Sequence, residues 1–193
     1  GIDGGYTGQT PESFFRTVID YAQECRFAVP FLIHGDHITV KNTSEDEFER
    51  ARLLIQSEIE AGYTSFAIDA SFNPLHDNID IVARLAEPVI SHGYGLELEL
   101  GEQGAPSGRL SLTTPQEAEE FLSGVISRGV RPQLLAINNG SKRGNYLEGE
   151  IVRIDLARTR RIHQTAVSFG LAGLVQHGIT GTPLHLVGKL AEY

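Results

Sequence analysis

The sequence predicts a parallel α/β fold, closed as a (β/α)8 TIM barrel, on three observations. Five short apolar runs alternate with amphipathic helical stretches along the 193 residues. The helical stretches open on capping residues and end on glycines. Nearly every apolar run ends in side chains that carry chemistry. Alternating strands and helices at this spacing make βα units and a parallel sheet. An open doubly wound sheet shares that alternation, but no Gly-x-Gly-x-x-Gly follows the first run. Polar residues gathered at strand ends favour the barrel, where those ends converge on one mouth.

The strand candidates are Phe27 to His34, Ser65 to Ser71, Leu96 to Leu100, Gln133 to Asn139 and Ala172 to His177. Thr10-Pro11 starts the first helix, with a hydroxyl N-cap before a proline whose missing N–H costs nothing there. Ser44 and Glu47 have capping-box spacing ahead of an amphipathic stretch that runs to about Ala61. Thr114-Pro115-Gln116-Glu117 combines both devices, and Thr182-Pro183 starts one more helix. Gly62, Gly93, Gly129 and Gly170 stand where helices should stop. The stretch from Gly101 to Ser111 is the most loop-like and is placed to cover the mouth.

Composition narrows the function. The net charge of −9 excludes the Lys/Arg surplus that nucleic-acid phosphates demand. No apolar run approaches the ~20 residues of a membrane span. Cys25 stands alone, so there is neither a disulfide framework nor a cysteine zinc site, and a cytoplasmic location is the default. Cys25 reads as a small hydrophobe. His76, His92, His163 and His185 read as surface or packing residues, and Arg158, Arg160 and Arg161 as a solvated helix face.

Three strand ends carry the chemistry. His34-Gly35-Asp36-His37 offers two imidazoles and a carboxylate, suited to a zinc-like ion and to proton transfer, or equally to a polar turn capping the next helix. Glu97 and Glu99 share one face of their strand, because side chains alternate with period 2. In a barrel both point inward, where a carboxylate needs a partner or a metal; on a solvated edge strand they need neither. His177-Gly178-Ile179-Thr180-Gly181 pairs a histidine with a glycine-flanked turn that suits an anion.

Together these residues resemble the class II (metal-dependent) fructose- and tagatose-bisphosphate aldolases, in order from about Pro30 to Pro183. The resemblance implies that Asp36 transfers the proton and that His37 and His177 bind zinc or another divalent metal. It places Asp69 at the position of an accessory metal ligand and Glu99 at the second metal position, with Gly144, Gly178, Thr180 and Gly181 around a substrate phosphate. It implies cleavage of a phosphorylated ketose through an enediolate. The opening from Gly4 to Pro11 is more similar to the non-catalytic subunit of tagatose-bisphosphate aldolases, which supports a partner aldolase; an epimerase or isomerase uses the same enediolate. Assembly as a homo-oligomer or with a partner aldolase subunit follows from the same resemblance.

The sequence departs from the family at Arg143, which stands where a third zinc-binding histidine is expected. A guanidinium has no lone pair to give a metal. Either a carboxylate completes the set with His37 and His177, or Arg143 and Lys142 bind a substrate anion. The acidic pair of the loop after Leu100 is also absent. Only strands resembling the family's second to sixth are recognisable, whereas a complete barrel takes ~250 residues. The chain therefore reads as one aldolase-type barrel domain over 1–193 that is a piece of a longer polypeptide, or one from which residues have been lost.

Overall fold

The computed structural model describes residues 7–101, 112–142 and 146–193. Five parallel strands, β1 (His34–Thr39), β2 (Ser65–Asp69), β3 (Gly95–Leu100), β4 (Leu134–Ile137) and β5 (Gly173–Val175), pair in the order of the chain. A doubly wound sheet reverses strand order at a switch point. Unbroken sequential order is that of a barrel wall, so the fold is a partial TIM barrel of five strands with helices. Among the described residues seven helices connect or flank them: α1 (Pro11–Glu24), α2 (Glu45–Ala61), α3 (Leu75–Leu85), α4 (Glu87–Ser91), α5 (Pro115–Ser127), α6 (Leu156–Ser168) and α7 (Leu184–Leu190).

Most helix starts obey the local rules. Thr10 caps α1 by accepting from the Ser13 N–H, and Thr114 with Glu117 forms a complete capping box on α5. Ser44 caps α2, but Glu47 turns away from the reciprocal bond and accepts from the Lys41 N–H instead. Thr182 does not cap α7, whose N-cap is Pro183. The four glycines expected at helix ends all have positive φ.

Three expectations need correction. The first strand begins at His34 rather than Phe27, because β2 offers a ladder partner only from Ser65 onward. Phe27, Val29, Phe31 and Leu32 are exposed instead. Arg158 is not solvated: its guanidinium lies 3.2 Å from Asp155 Oδ2 and donates to the carbonyl of Thr113 at 3.3 Å, tying the start of α6 to the segment before α5. Cys25 is exposed at the end of α1 rather than packed.

The core lies between the outer face of the sheet and the helices. Leu96, Leu98 and Leu100 of β3 join Phe66, Ile68, Phe121, Leu122 and Ile162 there. This leaves Glu97 and Glu99 on the inner face. Gly35 faces outward against α2, where an added Cβ would run into the Glu58 carboxylate. Glu58 is buried, and its Oε2 has no hydrogen-bond partner. Burial pushes its carboxyl up to about 7.

The loops after β4 and β5 interlock. Gly178 lies against the Lys142 carbonyl and Gly181 against that of Tyr146, and neither approach leaves room for a Cβ. The Tyr146 N–H donates to the Thr180 carbonyl at 3.0 Å.

Two outcomes test this packing. A carboxyl whose pKa is raised on folding contributes stability that is present at low pH and lost as pH rises through the folded value. The wild-type protein should therefore lose stability between about pH 4.5 and 7 through this residue. Glu58→Gln should be the more stable by roughly 2 kcal/mol at pH 8 and converge with wild type near pH 4; urea titrations at the two pH values measure it. Gly93 and Gly178 have similar φ, +70° and +66°, but only Gly178 meets neighbouring backbone. Gly93→Ala should cost about 1 kcal/mol, and Gly178→Ala clearly more. Equal costs would mean that the loop contact contributes nothing.

Candidate active site

The inner face of β3 sets the site. Glu97 and Glu99 sit two residues apart and each is 5% exposed. Their partners come from β1 and from the turn after β5, each separated from β3 by one intervening strand. Alternate strands supply each layer of a barrel interior in the same way.

On β1 a bulge makes this possible. Gly35 pairs with Phe66 and Ile38 with Ile68, so β1 carries one extra residue over this span. In a regular strand His34 and His37, three residues apart, would face opposite sides. The extra residue keeps Gly35 and Ile38 directed toward the helices while both histidines reach the inner face. His37 absorbs the irregularity at φ +54°, a left-handed conformation uncommon outside glycine. His34 Nδ1 lies 2.8 Å from Ser65 Oγ, and its Nε2 is 3.8 Å from Glu97 Oε2.

His37 Nδ1 hydrogen-bonds Glu99 Oε1 at 2.9 Å, and its Nε2 is 3.7 Å from Asp36 Oδ2. His177 lies between the two glutamates: Nε2 is 3.5 Å from Glu97 Oε1 and Nδ1 is 3.8 Å from Glu99 Oε2. The His37 and His177 rings meet edge to face at 4.8 Å. One ligand atom each from His37, Glu99 and His177 fall within 4.8 Å of one another.

The electrostatics follow from burial. The hydrogen bond to Glu99 overcomes desolvation and pushes His37 up to about 9. Glu97 holds His177 above the ordinary imidazole range, aided by Glu99. Burial lifts Glu99 above the usual carboxylate range, and the hydrogen bond from His37 pulls the other way. Asp69, fully buried at the end of β2, ties Oδ1 to the amide and hydroxyl of Ser71 at 2.9 and 2.6 Å. Asp69 Oδ2 and Glu97 Oε1 are buried without a hydrogen-bond partner.

A divalent cation fits this donor set. Two imidazoles and a carboxylate are a ligand set found in zinc sites. Three buried carboxylates in one end of a sheet also leave an excess of negative charge that a cation offsets.

The structure therefore brings together His37, Glu99 and His177, with Asp36 exposed at their edge. Asp69 lies outside that triad. Gly178, Thr180 and Gly181 form the turn beyond His177, with Thr180 exposed. Arg143 and Gly144, and the loop residues 102–111, lie outside the described residues. Two participants were missed from the sequence, Asn139 and Gln176, and His34, named there as one of two imidazoles, was given no role of its own. The period-2 logic that found Glu97 and Glu99 gives no signal across a bulge, and the two amides meet through a contact 37 residues apart.

Comparison with known proteins accords with this geometry. A model of the class-II fructose-bisphosphate aldolase family matches residues 4–193. The chain is 28% identical over 190 residues to a fructose-bisphosphate aldolase of Staphylococcus epidermidis, covering 94% of this chain and 59% of that protein. It is 29% identical over 184 residues to the fructose-bisphosphate aldolase of Geobacillus stearothermophilus, covering 91% and 56%. In fold it resembles the crystal structure of fructose-bisphosphate aldolase from Campylobacter jejuni, with a TM-score of 0.66 at 19% identity over 96% of this chain and 57% of that one. The chain thus spans less than two thirds of the length of these relatives. With its strand order, inward glutamates and paired histidines all accounted for, this chain belongs to the class-II fructose-bisphosphate aldolase family.

Proposed function

We propose that this chain carries the catalytic end of a metal-assisted aldolase that cleaves a phosphorylated ketose. The observation that carries this reading is the triad of His37, Glu99 and His177, with Asp36 beside it. Glu99 supplies the third ligand, so a histidine at the position of Arg143 is not required. A bound divalent ion, zinc by the chemistry of the donors, supplies Lewis-acid polarisation of the ketose carbonyl.

The chain's own residues do the rest. Asp36, with a side chain 60% exposed, is free to accept the proton of the C4 hydroxyl as the C3–C4 bond breaks. The bond's electron pair passes into the enediolate, and the C4 hydroxyl becomes the aldehyde. In the condensation direction Asp36 returns that proton. Glu97 faces His177 and Glu99 faces both histidines, which orients the two imidazoles toward one point. Asp69 adds negative charge near that point as an accessory group. The turn of Gly178, Thr180 and Gly181 is the part of the described chain that we assign to the substrate phosphate; Gly144 and the cation of Arg143 are assigned to the same anion from the family resemblance alone.

Four measurements test this. Purified protein should hold about one zinc per chain, lost in His37→Ala; well-folded wild-type protein that binds no divalent ion would overturn the metal reading. Since the metal must displace a proton from His37, and His177 is also held above the ordinary imidazole range, cobalt affinity should rise by at least about tenfold per pH unit between pH 6.5 and 8.5. Asp36→Ala should lower retro-aldol turnover by about 10²–10⁴-fold with metal content unchanged. If turnover is unaltered, Asp36 is not the proton-transfer group. A panel of ketose mono- and bisphosphates separates cleavage from epimerisation.

A further inference from the structure

His177 lies beyond the reach of the sheet. Backbone pairing between β4 and β5 stops at Ala136 and Val175, and β5 itself ends at Val175. The imidazole that faces both glutamates is therefore held by something other than the ladder.

Two side-chain amides take over where the ladder stops. Asn139 Nδ2 donates to Gln176 Oε1 at 2.6 Å, and Gln176 Nε2 lies 3.4 Å from Asn139 Oδ1. The same Gln176 Nε2 donates to the backbone carbonyl of His177 at 2.6 Å. This fixes the sense of the glutamine amide, since only nitrogen can serve a carbonyl.

Asn139 is itself fully committed. It is 1% exposed; its Nδ2 also donates to Thr159 Oγ1 at 3.1 Å, and its Oδ1 also accepts from the Ser141 N–H at 3.4 Å. Its carbonyl accepts from the Asp155 N–H at 2.9 Å, at the N-cap of α6. The amide pair is thus moored to the first turn of a helix. A buried polar network with every position filled admits one geometry.

We propose that Asn139 and Gln176 are positioning residues for His177, an amide clamp that replaces the missing strand pairing and fixes the imidazole between Glu97 and Glu99. The proposal rests on the reading that His177, His37 and Glu99 hold a divalent cation. It adds that their preorganisation depends on two neutral residues that touch neither cation nor substrate. Loss of such outer support costs metal sites about 10–100-fold in affinity.

The test uses Gln176→Leu, which removes both contacts, and Gln176→Glu, which can still accept from Asn139 but cannot donate to the His177 carbonyl. Cobalt is titrated into the full-length protein and its visible ligand-field bands are recorded. Both variants should bind cobalt about 10–100-fold more weakly, with altered bands. Adding Asn139→Ala to Gln176→Leu should weaken binding little further, because the two act as one unit. A second readout needs no metal: the proton NOE between the His37 and His177 rings should be present in the wild type and lost in both Gln176 variants. If wild type binds no cobalt, the metal reading fails, and the NOE alone decides the clamp. Unchanged ring NOEs, or unchanged affinity and bands in both Gln176 variants, would overturn it.

Discussion

The structure depends on a single electrostatic constraint: two carboxylates, Glu97 and Glu99, are buried on the inner face of its central strand. They share that strand with three leucines that anchor the helical layer, so they cannot be turned out to water without unpacking the core. Buried anions must find cations or strong donors. Imidazoles two strands away on either side provide them, which fixes where β1 must bulge and where the chain must turn after β5. The pairing also explains why His37 and His177 attract protons despite partial burial. In the absence of metal those protons, and with metal the ion itself, balance the same buried charge.

Much of this was legible in the sequence. Strict alternation in Leu96-Glu97-Leu98-Glu99-Leu100 gave both the leucine face and the glutamate face, because a strand offers only two sides. The Thr114 and Glu117 capping box and the terminal glycines marked helix ends through purely local hydrogen bonding. The start of β1 was not legible: an apolar run from Phe27 looks like a strand, but whether it becomes one depends on a partner with free backbone groups. The bulge was equally hidden, because periodicity assumes that no residue is skipped. Arg158 looked like a surface charge since nothing local reveals the carbonyls of Leu112 and Thr113 brought alongside it.

The mouth owes its order to side chains and loops more than to the sheet. Three residues separate Ala136, the last of β4 to pair with β5, from Gly140, and β5 stops before His177. Asn139 and Gln176 bridge that gap, and the backbone contacts of Gly178 and Gly181 close it on the outer side. Glu58 offers a contrast. It is buried like Glu97 and Glu99 but faces the helical layer with no imidazole beside it, so it relieves its charge by holding a proton. The same residue type thus meets burial in two ways according to its neighbours.

The left-handed backbone of His37 bears on how this site could drift over evolutionary time. Such a conformation costs a residue with a Cβ about 1–2 kcal/mol, and glycine would relieve it. The substitution most welcome to the backbone is therefore one that deletes an imidazole from the site. Fold maintenance alone therefore does not favour a histidine here. At this position, then, one substitution to glycine would relax the backbone and empty a corner of the donor set together.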